Sequence, residues 1–341
     1  MSGQPVLVMG ASGFLGSTVT RLLVERGEDV RVLVRDTSDT RGIDDLDVKR
    51  FHGGIDDVEV VREAMSSCEV VYYCVVDTRA WLRDPAPLFA TNVDGLRGVL
   101  DVAAGVELRR FVFCSTIGTI AISRHGETVD EDTPFNWAEK GGAYIESRRR
   151  AEDLVLSYAR DRGLPAVAMC VANTYGPRDW APTPHGSLVA GAAVGRLPFY
   201  VRGVGAEVVG VVDAAEAMIR AADRGRSGER YIISERFMST EDILSIAART
   251  GGVSLPRVGL PVWALRMLGY ATSVLGRLRG RDYPFNTAAV RLMRMTSPLD
   301  HTKATRELDW HPEPTPESVR SAAEFILERR RRRRERSAEV G

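Results

Sequence analysis

The stretch Pro5-Val6-Leu7-Val8-Met9-Gly10-Ala11-Ser12-Gly13-Phe14-Leu15-Gly16 decides the fold. Pro5 to Met9 is a short apolar run that reads as a strand. It passes at once into three glycines spaced by three, and helical periodicity follows over residues 14–26. Gly10 permits a tight turn, Gly13 lets a pyrophosphate approach the backbone, and Gly16 allows the helix to lie close to the sheet. The helix N-terminus then offers unpaired N–H groups and a positive dipole end to a phosphate. Glycines alone carry little, but a strand before them and a helix after them make a dinucleotide-binding turn. Ser12, Phe14 and Leu15 join the cofactor-contacting set.

The pattern continues outward from that turn. Apolar, β-branched runs recur at 30–34, 48–51, 70–76, 110–114 and 165–171, with helical stretches near 58–66, 86–104 and 142–162 between them. Parallel strands need long connections, and helices on both faces allow strands that are apolar throughout. The fold class expected is α/β, a Rossmann-type doubly wound parallel sheet with a smaller, mostly helical C-terminal substrate lobe. Residues 207–213 look like a late strand returning to the sheet. The dinucleotide domain is therefore placed at 1–172 plus about 207–235. The substrate lobe takes about 173–206 and 236–328, and residues 329–341 form a basic tail.

Among 341 residues, 46 Lys and Arg balance 46 Asp and Glu, while 44% are hydrophobic. That excludes a disordered chain and a disulfide scaffold, and argues against a dedicated nucleic-acid binder. The balance hides an asymmetry. The last thirteen residues hold seven arginines and two glutamates, leaving 39 basic against 44 acidic residues before them, a body of −5 and a tail of +5. The N-terminus shows no secretory signal pattern and no apolar run reaches the length of a membrane span, so a cytoplasmic protein is expected. Cys68, Cys74, Cys114 and Cys170 form no C-x-x-C and read as reduced core residues, with no metal site.

The end of the second strand selects the cofactor. Val34-Arg35-Asp36 places Arg35 where a 2′-phosphate would lie, which favours NADP, while Asp36 keeps NAD open. Tyr144 and Arg148 stand four residues apart on one helical face. Thr116 ends the fifth strand at the carboxyl edge, where open α/β sheets bind ligands. A hydroxyl to polarise a carbonyl, a phenol to move a proton, and a cation to lower the phenol's pKa suit hydride-transfer chemistry.

GASGFLG, the strand-end Cys114-Ser115-Thr116, and Tyr144 followed by Ser147 and Ala151-Glu152 resemble the extended short-chain dehydrogenase/reductases, the NAD-dependent epimerase/dehydratase superfamily. VRVLVRD, Trp81, Asn92-Val93-Asp94-Gly95 and YGPRDWAPTPHG are most similar to a bacterial branch of it. That branch holds dihydroflavonol-reductase-like proteins, hopanoid-associated sugar epimerases and 3-beta-hydroxysteroid dehydrogenase-like proteins. The resemblance spans nearly the whole chain and implies bound NAD(P) and a homodimer formed through two long helices. It implies Thr116 as the carbonyl-orienting hydroxyl, Tyr144 as the general acid/base, Arg148 as the cation and Asn92 as catalytic support. Ile55, Val75, Val171 and Thr174 would be further cofactor contacts. Trp81, Asp179 and His185 would lie near the substrate.

The chain departs from the family pattern in four places. Arg148 replaces Lys and cannot pass a proton. Gly53-Gly54 replaces a Gly-Asp pair, Val75-Val76 replaces two small residues, and Val171 stands where Pro is usual. Arg149 and Arg150 face elsewhere on the helix.

Residues 260–285 are apolar, with Arg266, Arg277, Arg279 and Arg281. They read as a wall of the substrate pocket, and a greasy wall favours an apolar substrate. The same segment, residues 260–281, or the basic tail could touch an anionic membrane peripherally. Six consecutive arginines should fray the last helix. Three functions are carried forward. The first is an NAD(P)-dependent oxidoreductase reducing a ketone, or oxidising a secondary alcohol, on a steroid-, flavonoid- or lipid-like substrate. The second is a nucleotide-sugar epimerase/dehydratase. The third is a catalytically degraded dinucleotide-binding protein. Partners are a small-molecule substrate and a second copy, with no specific nucleic acid.

Overall fold

The structure is a computed structural model that describes residues 4–123, 125–256, 258–283, 286–293 and 297–339. The first half winds as β1 (Val6–Met9), α1 (Phe14–Glu25), β2 (Val30–Val34), β3 (Lys49–His52), α2 (Val58–Met65) and β4 (Val70–Tyr73). Then come α3 (Ala86–Phe89) and α4 (Leu96–Ala103), joined by a π-helical turn, Ala90–Gly95. The half closes with β5 (Arg110–Thr116), α5 (Ala138–Arg162) and β6 (Ala166–Val171). The second half holds β7 (Asn173–Tyr175), α6 (Pro184–Ala193), β8 (Tyr200–Val201), β9 (Gly205–Gly210), α7 (Val211–Arg224) and β10 (Arg230–Ile233). It continues through β11 (Arg236–Ser239), α8 (Thr240–Thr250), β12 (Gly259–Leu260), α9 (Val262–Arg279) and α10 (Thr287–Leu292). The described chain ends with α11 (Thr302–Leu308) and α12 (Thr315–Glu339).

The main sheet has seven parallel strands in the order β10-β6-β5-β4-β1-β2-β3. Strand alternation divides its side chains between two apolar cores. Val6, Val8, Val32, Tyr72, Val112 and Met169 pack with Val19 of α1 and Met218 of α7. Leu7, Met9, Tyr73, Phe111 and Phe113 pack on the other face with Val61 of α2, Leu100 of α4 and Val155 of α5. The winding direction reverses between β1 and β4, and the crevice at the carboxyl ends there is where such sheets take their ligands.

Two expectations need correction. The strand at 207–213 does not return to the main sheet. Its residues 205–210 form β9, the middle of a separate sheet ordered β11-β9-β7, and Val211 opens α7. The returning strand is β10, which pairs with β6. Nor does the last helix fray: α12 runs to Glu339 through the arginines. Arg332 pairs with Glu328 and Arg331 with Glu335, each one helical turn away. Arg329 anchors the start of the run, donating to the Trp180 carbonyl at 3.1 Å with its guanidinium over the Trp180 ring. Residues 340 and 341 of the tail lie outside the described residues, as do Pro284 and Phe285.

α8 opens on a side-chain cap. Ser239 accepts from the Asp242 N–H and closes the first turn of α8.

Candidate active site

The glycine turn is built for close approach. Gly10 has φ +85°, and a Cβ there would lie 2.8 Å from the carbonyl carbon of Cys74. At Gly16 a Cβ would lie 2.2 Å from the Gly10 oxygen. Side chains are thus excluded where α1 begins, and the backbone N–H groups of its first turn face the crevice with no acidic residue among them. Ser12, Phe14 and Leu15 fall in this turn, as expected.

Arg35 is exposed just past β2, its N–H donating to Ser38 Oγ at 3.2 Å. Among the described residues its guanidinium has no hydrogen-bond or ion-pair partner. Asp36, by contrast, is engaged by His52 Nδ1 at 2.9 Å. Arg31 serves the fold. It donates to the Ala64 and Ser66 carbonyls at 3.2 and 2.7 Å and so caps α2. Ile55 packs against Gly95, where a Cβ would come within 2.6 Å of its Cδ1. Val75 is half-buried beyond β4, and Val171 ends β6 opposite Thr116. Thr174 lies on β7, paired with Val209.

α5 carries Tyr144 and Arg148. Its Gly142, at φ +69°, breaks the helix just before Tyr144. Tyr144 is half-buried, and its hydroxyl has no hydrogen-bond partner among the described residues. Burial pushes the phenol's pKa up, and the Arg148 guanidinium pulls it back down. Arg148 is 2% exposed. One guanidinium nitrogen, Nη2, donates to the Cys114 carbonyl at 2.6 Å, and the head lies over the Phe113 ring. Its Nε and Nη1 are buried without partners, and no carboxylate pairs with it among the described residues. A buried cation left so is costly unless something else answers it. Arg149 and Arg150 do face elsewhere, paired with Asp153 and Glu146.

Thr116 Oγ1 accepts from the Gly118 N–H at 3.1 Å, which leaves its own proton free to donate. Asn92, 1% exposed, acts at one remove. It accepts from the Asp77 N–H at 2.8 Å and donates to the Asp77 carbonyl and to Ser147 Oγ, which in turn donates to the Tyr144 carbonyl. It is a positioning residue that ties the loop after β4 to α5.

Sequence reading missed Glu152. One turn below Arg148, its carboxylate accepts from Ser115 Oγ and from Thr119 Oγ1, the latter at 2.8 Å. It also pairs with Arg230 of β10 at 2.8 Å. This buried network fixes the end of β5 against α5 and turns Ser115 away, leaving Thr116 as the available hydroxyl. A charged residue on the apolar side of an otherwise buried helix face was the signal.

Trp81, Asp179 and His185, the expected substrate residues, lie on different segments of the chain. Trp81 lines a cleft of about 400 Å³ with Tyr270, Asn286 and Arg291. Asp179 instead braces α6, accepting from the Thr183 N–H and hydroxyl at 2.8 and 2.9 Å. His185 packs near Tyr175, and burial pushes its pKa down to about 4. A second cleft, about 710 Å³, lies between Lys140 at the start of α5 and Trp263, Met267, Tyr270 and Val290.

The Rossmann crevice with a Tyr-x-x-x-Arg helix beside it defines a dinucleotide-dependent enzyme. Residues 6–234 match the model of the NAD dependent epimerase/dehydratase family, and the chain belongs to that family, the extended short-chain dehydrogenase/reductases. It is an NAD(P)-dependent oxidoreductase of that type. The chain is 29% identical over 331 residues to sterol demethylase protein B of Methylococcus capsulatus, covering 95% of this chain and 98% of that one. It is 27% identical over 305 residues, 88% of each chain, to a putative dihydroflavonol 4-reductase of Synechocystis. It is 28% identical over 307 residues to 4-hydroxy-2-methyl-3-oxo-4-farnesyl-3,4-dihydroquinoline-1-oxide ketoreductase of Stigmatella aurantiaca, covering 89% and 90%. The crystal structure of gox2253 superposes with a TM-score of 0.84 at 30% identity over 96% of this chain and 99% of that one.

Proposed function

We propose that the protein is an NADPH-dependent reductase of an apolar ketone, steroid-, flavonoid- or lipid-like, and that it oxidises the corresponding secondary alcohol in reverse. One observation carries this reading: a phenol that has no hydrogen-bond partner among the described residues stands one helical turn from a buried guanidinium with two nitrogens likewise unpartnered, at the same strand edge as a hydroxyl whose proton is available. The residues fit a dinucleotide. Gly10 to Gly16 and the α1 terminus would hold its pyrophosphate, and Arg35 a 2′-phosphate. Arg148 Nε and Nη1 would take hydroxyls of the nicotinamide ribose. Arg35 is free while Asp36 is occupied by His52, and this supports NADP over NAD.

The nicotinamide, when bound, supplies the hydride. Thr116 donates a hydrogen bond to the substrate carbonyl and orients it. Tyr144 donates its proton to the same oxygen as that becomes a hydroxyl. Arg148 stabilises the phenolate left behind and stays charged throughout, so Tyr144 takes its next proton from solvent. Asn92 and Glu152 hold the two strand ends and the helix in register for this.

An apolar substrate is supported by the flavonol, sterol and farnesyl-quinoline names of the relatives. NADPH consumption with a panel of apolar ketones tests the reading. Tyr144→Phe is expected to cut turnover by roughly 10²–10⁴-fold while leaving dinucleotide affinity unchanged. Equal turnover in both proteins would mean Tyr144 does not move the proton.

The outer face of α9 supports a peripheral membrane contact. Trp263, Met267 and Tyr270 are 68%, 62% and 61% exposed, and Leu278 is 79% exposed. They form one stripe opposite the buried Leu265, Gly269 and Gly276. Arg266 and Arg277 edge the stripe on one side and Arg279 on the other, and residues 261–281 contain no acidic residue. That pattern matches an anionic lipid surface. No helix among the described residues is long and apolar enough to cross a membrane. The cytoplasmic face of a membrane is thus the proposed location, and a homodimer through α4 and α5 the proposed assembly, to be read by light scattering.

A further inference from the structure

The proposed chemistry leaves two side chains at the strand ends unused, and both are cysteines. The last paired rung between β4 and β5 is Tyr73–Phe113. Cys74 and Cys114 take the next position on each strand. Adjacent strands lie about 4.8 Å apart, inside the roughly 4.4–6.8 Å Cα separation that a disulfide spans. Alternation sends both side chains to the α1–α7 face, where both pack on the same core. Cys74 Sγ there lies 4.0 Å from Met218 Sδ. Both thiols are free and half-buried, whereas Cys68 and Cys170 are buried.

The two thiols are not equivalent. Their interaction and the Arg148 charge hold the Cys114 thiol below its ordinary range, against the effect of burial. The same interaction, with burial, raises Cys74. A low-pKa, accessible cysteine beside a resolving cysteine is the arrangement of redox sensors.

We propose that Cys74 and Cys114 form a reversible, peroxide-oxidised disulfide that closes the dinucleotide site. The Cys114 thiolate attacks hydrogen peroxide. Its S–O bond forms as the O–O bond breaks, and the departing hydroxide takes a proton to become water. The Cys74 thiol then gives up its proton and attacks the sulfenic sulfur. The S–S bond forms and the second oxygen leaves as water. Two thiols lose two electrons, and one peroxide becomes two waters. The consequence follows from the turn. The Cys74 carbonyl and the Val75 nitrogen form the wall against which Gly10 sits, 2.8–2.9 Å from where a Cβ would be. The spacing already fits the bond, so the disulfide ties Cys74 and that wall rigidly to β5, and the wall can no longer adjust as a pyrophosphate enters. This last step rests on the dinucleotide reading above; the reactivity of the pair does not.

The test treats the full-length reduced protein with hydrogen peroxide, with and without NADPH, then blocks free thiols and maps peptides. A Cys74–Cys114 cross-link is expected, with Cys68 and Cys170 still alkylated. Oxidised protein should bind NADPH at least about tenfold more weakly. Dithiothreitol should restore binding, and bound NADPH should slow the reaction. Cys114→Ser should not react, and Cys74→Ser should stop at a sulfenic acid trapped by dimedone. The proposal is overturned if folded protein forms no such cross-link, if either cysteine pairs elsewhere, or if the cross-linked protein binds NADPH as before. Reduced protein that binds no dinucleotide would overturn the reading of the site instead, while the peptide map still judges the pair.

Discussion

The carboxyl edge of the main sheet and the outer face of α9 are built in opposite ways, and the contacts proposed for them differ accordingly. The edge is made of glycines at the turn, where side chains would obstruct, and one buried cation, Arg148, with two nitrogens that have no hydrogen-bond partner among the described residues. The α9 face is made of exposed side chains, an apolar stripe with arginines at its borders. Binding at the edge depends on a few positions, each with a large effect. Binding at α9 sums over area, so no single residue should decide it.

The largest expected effect is at the turn. Gly16→Ala puts a methyl group 2.2 Å from the Gly10 oxygen, so the turn must shift. Dinucleotide titration should lose saturation, and thermal unfolding should show a loss of about 1–3 kcal/mol. Normal affinity would remove the turn from the site. Arg35→Ala should come next. Losing a charge-assisted contact of roughly 1.5–3 kcal/mol weakens NADPH by about 10–100-fold. NADH should be untouched, and equal losses for both would break the 2′-phosphate assignment.

At α9, Trp263→Ser should reduce partition onto phosphatidylglycerol vesicles by several-fold, with no change toward neutral phosphatidylcholine vesicles. Sedimentation that does not respond to lipid charge would contradict the role of the arginine borders. The smallest effect is a shift in pH dependence. The Arg148 charge lowers the Tyr144 pKa, so Arg148→Met should raise it. Ketone reduction needs the protonated phenol and falls as pH rises through that value. The alkaline fall should therefore move to higher pH, and back toward its original place in Arg148→Lys.

The same contrast sets how much was legible beforehand. The turn, the strand–helix alternation, Tyr144, Arg148 and Thr116 could be read because each is a local pattern. β9 could not be assigned to its sheet. A short run at 208–212 fits either, and only the start of α7 at Val211 takes it into the small one. The Arg230–Glu152 pair joins residues 78 apart, and nothing in either neighbourhood announces the other. Asp179 lies in the loop before α6 and His185 in the first turn of that helix, and the packing that joins them to Thr183 and Tyr175 has no sequence signature. The arginine tail keeps its helix because Glu328 and Glu335 fall one turn from arginines and Trp180 receives Arg329. The cysteine pair could not be read from spacing, since 40 residues separate two positions that the sheet places side by side.

The central claim is that the edge holds a phosphorylated nicotinamide dinucleotide. Thermal unfolding of the purified protein titrated with NADPH and with NADH tests it most directly, because stabilisation follows affinity for the folded form. The account predicts saturable stabilisation by NADPH at concentrations well below those NADH requires. Equal indifference to both would contradict it.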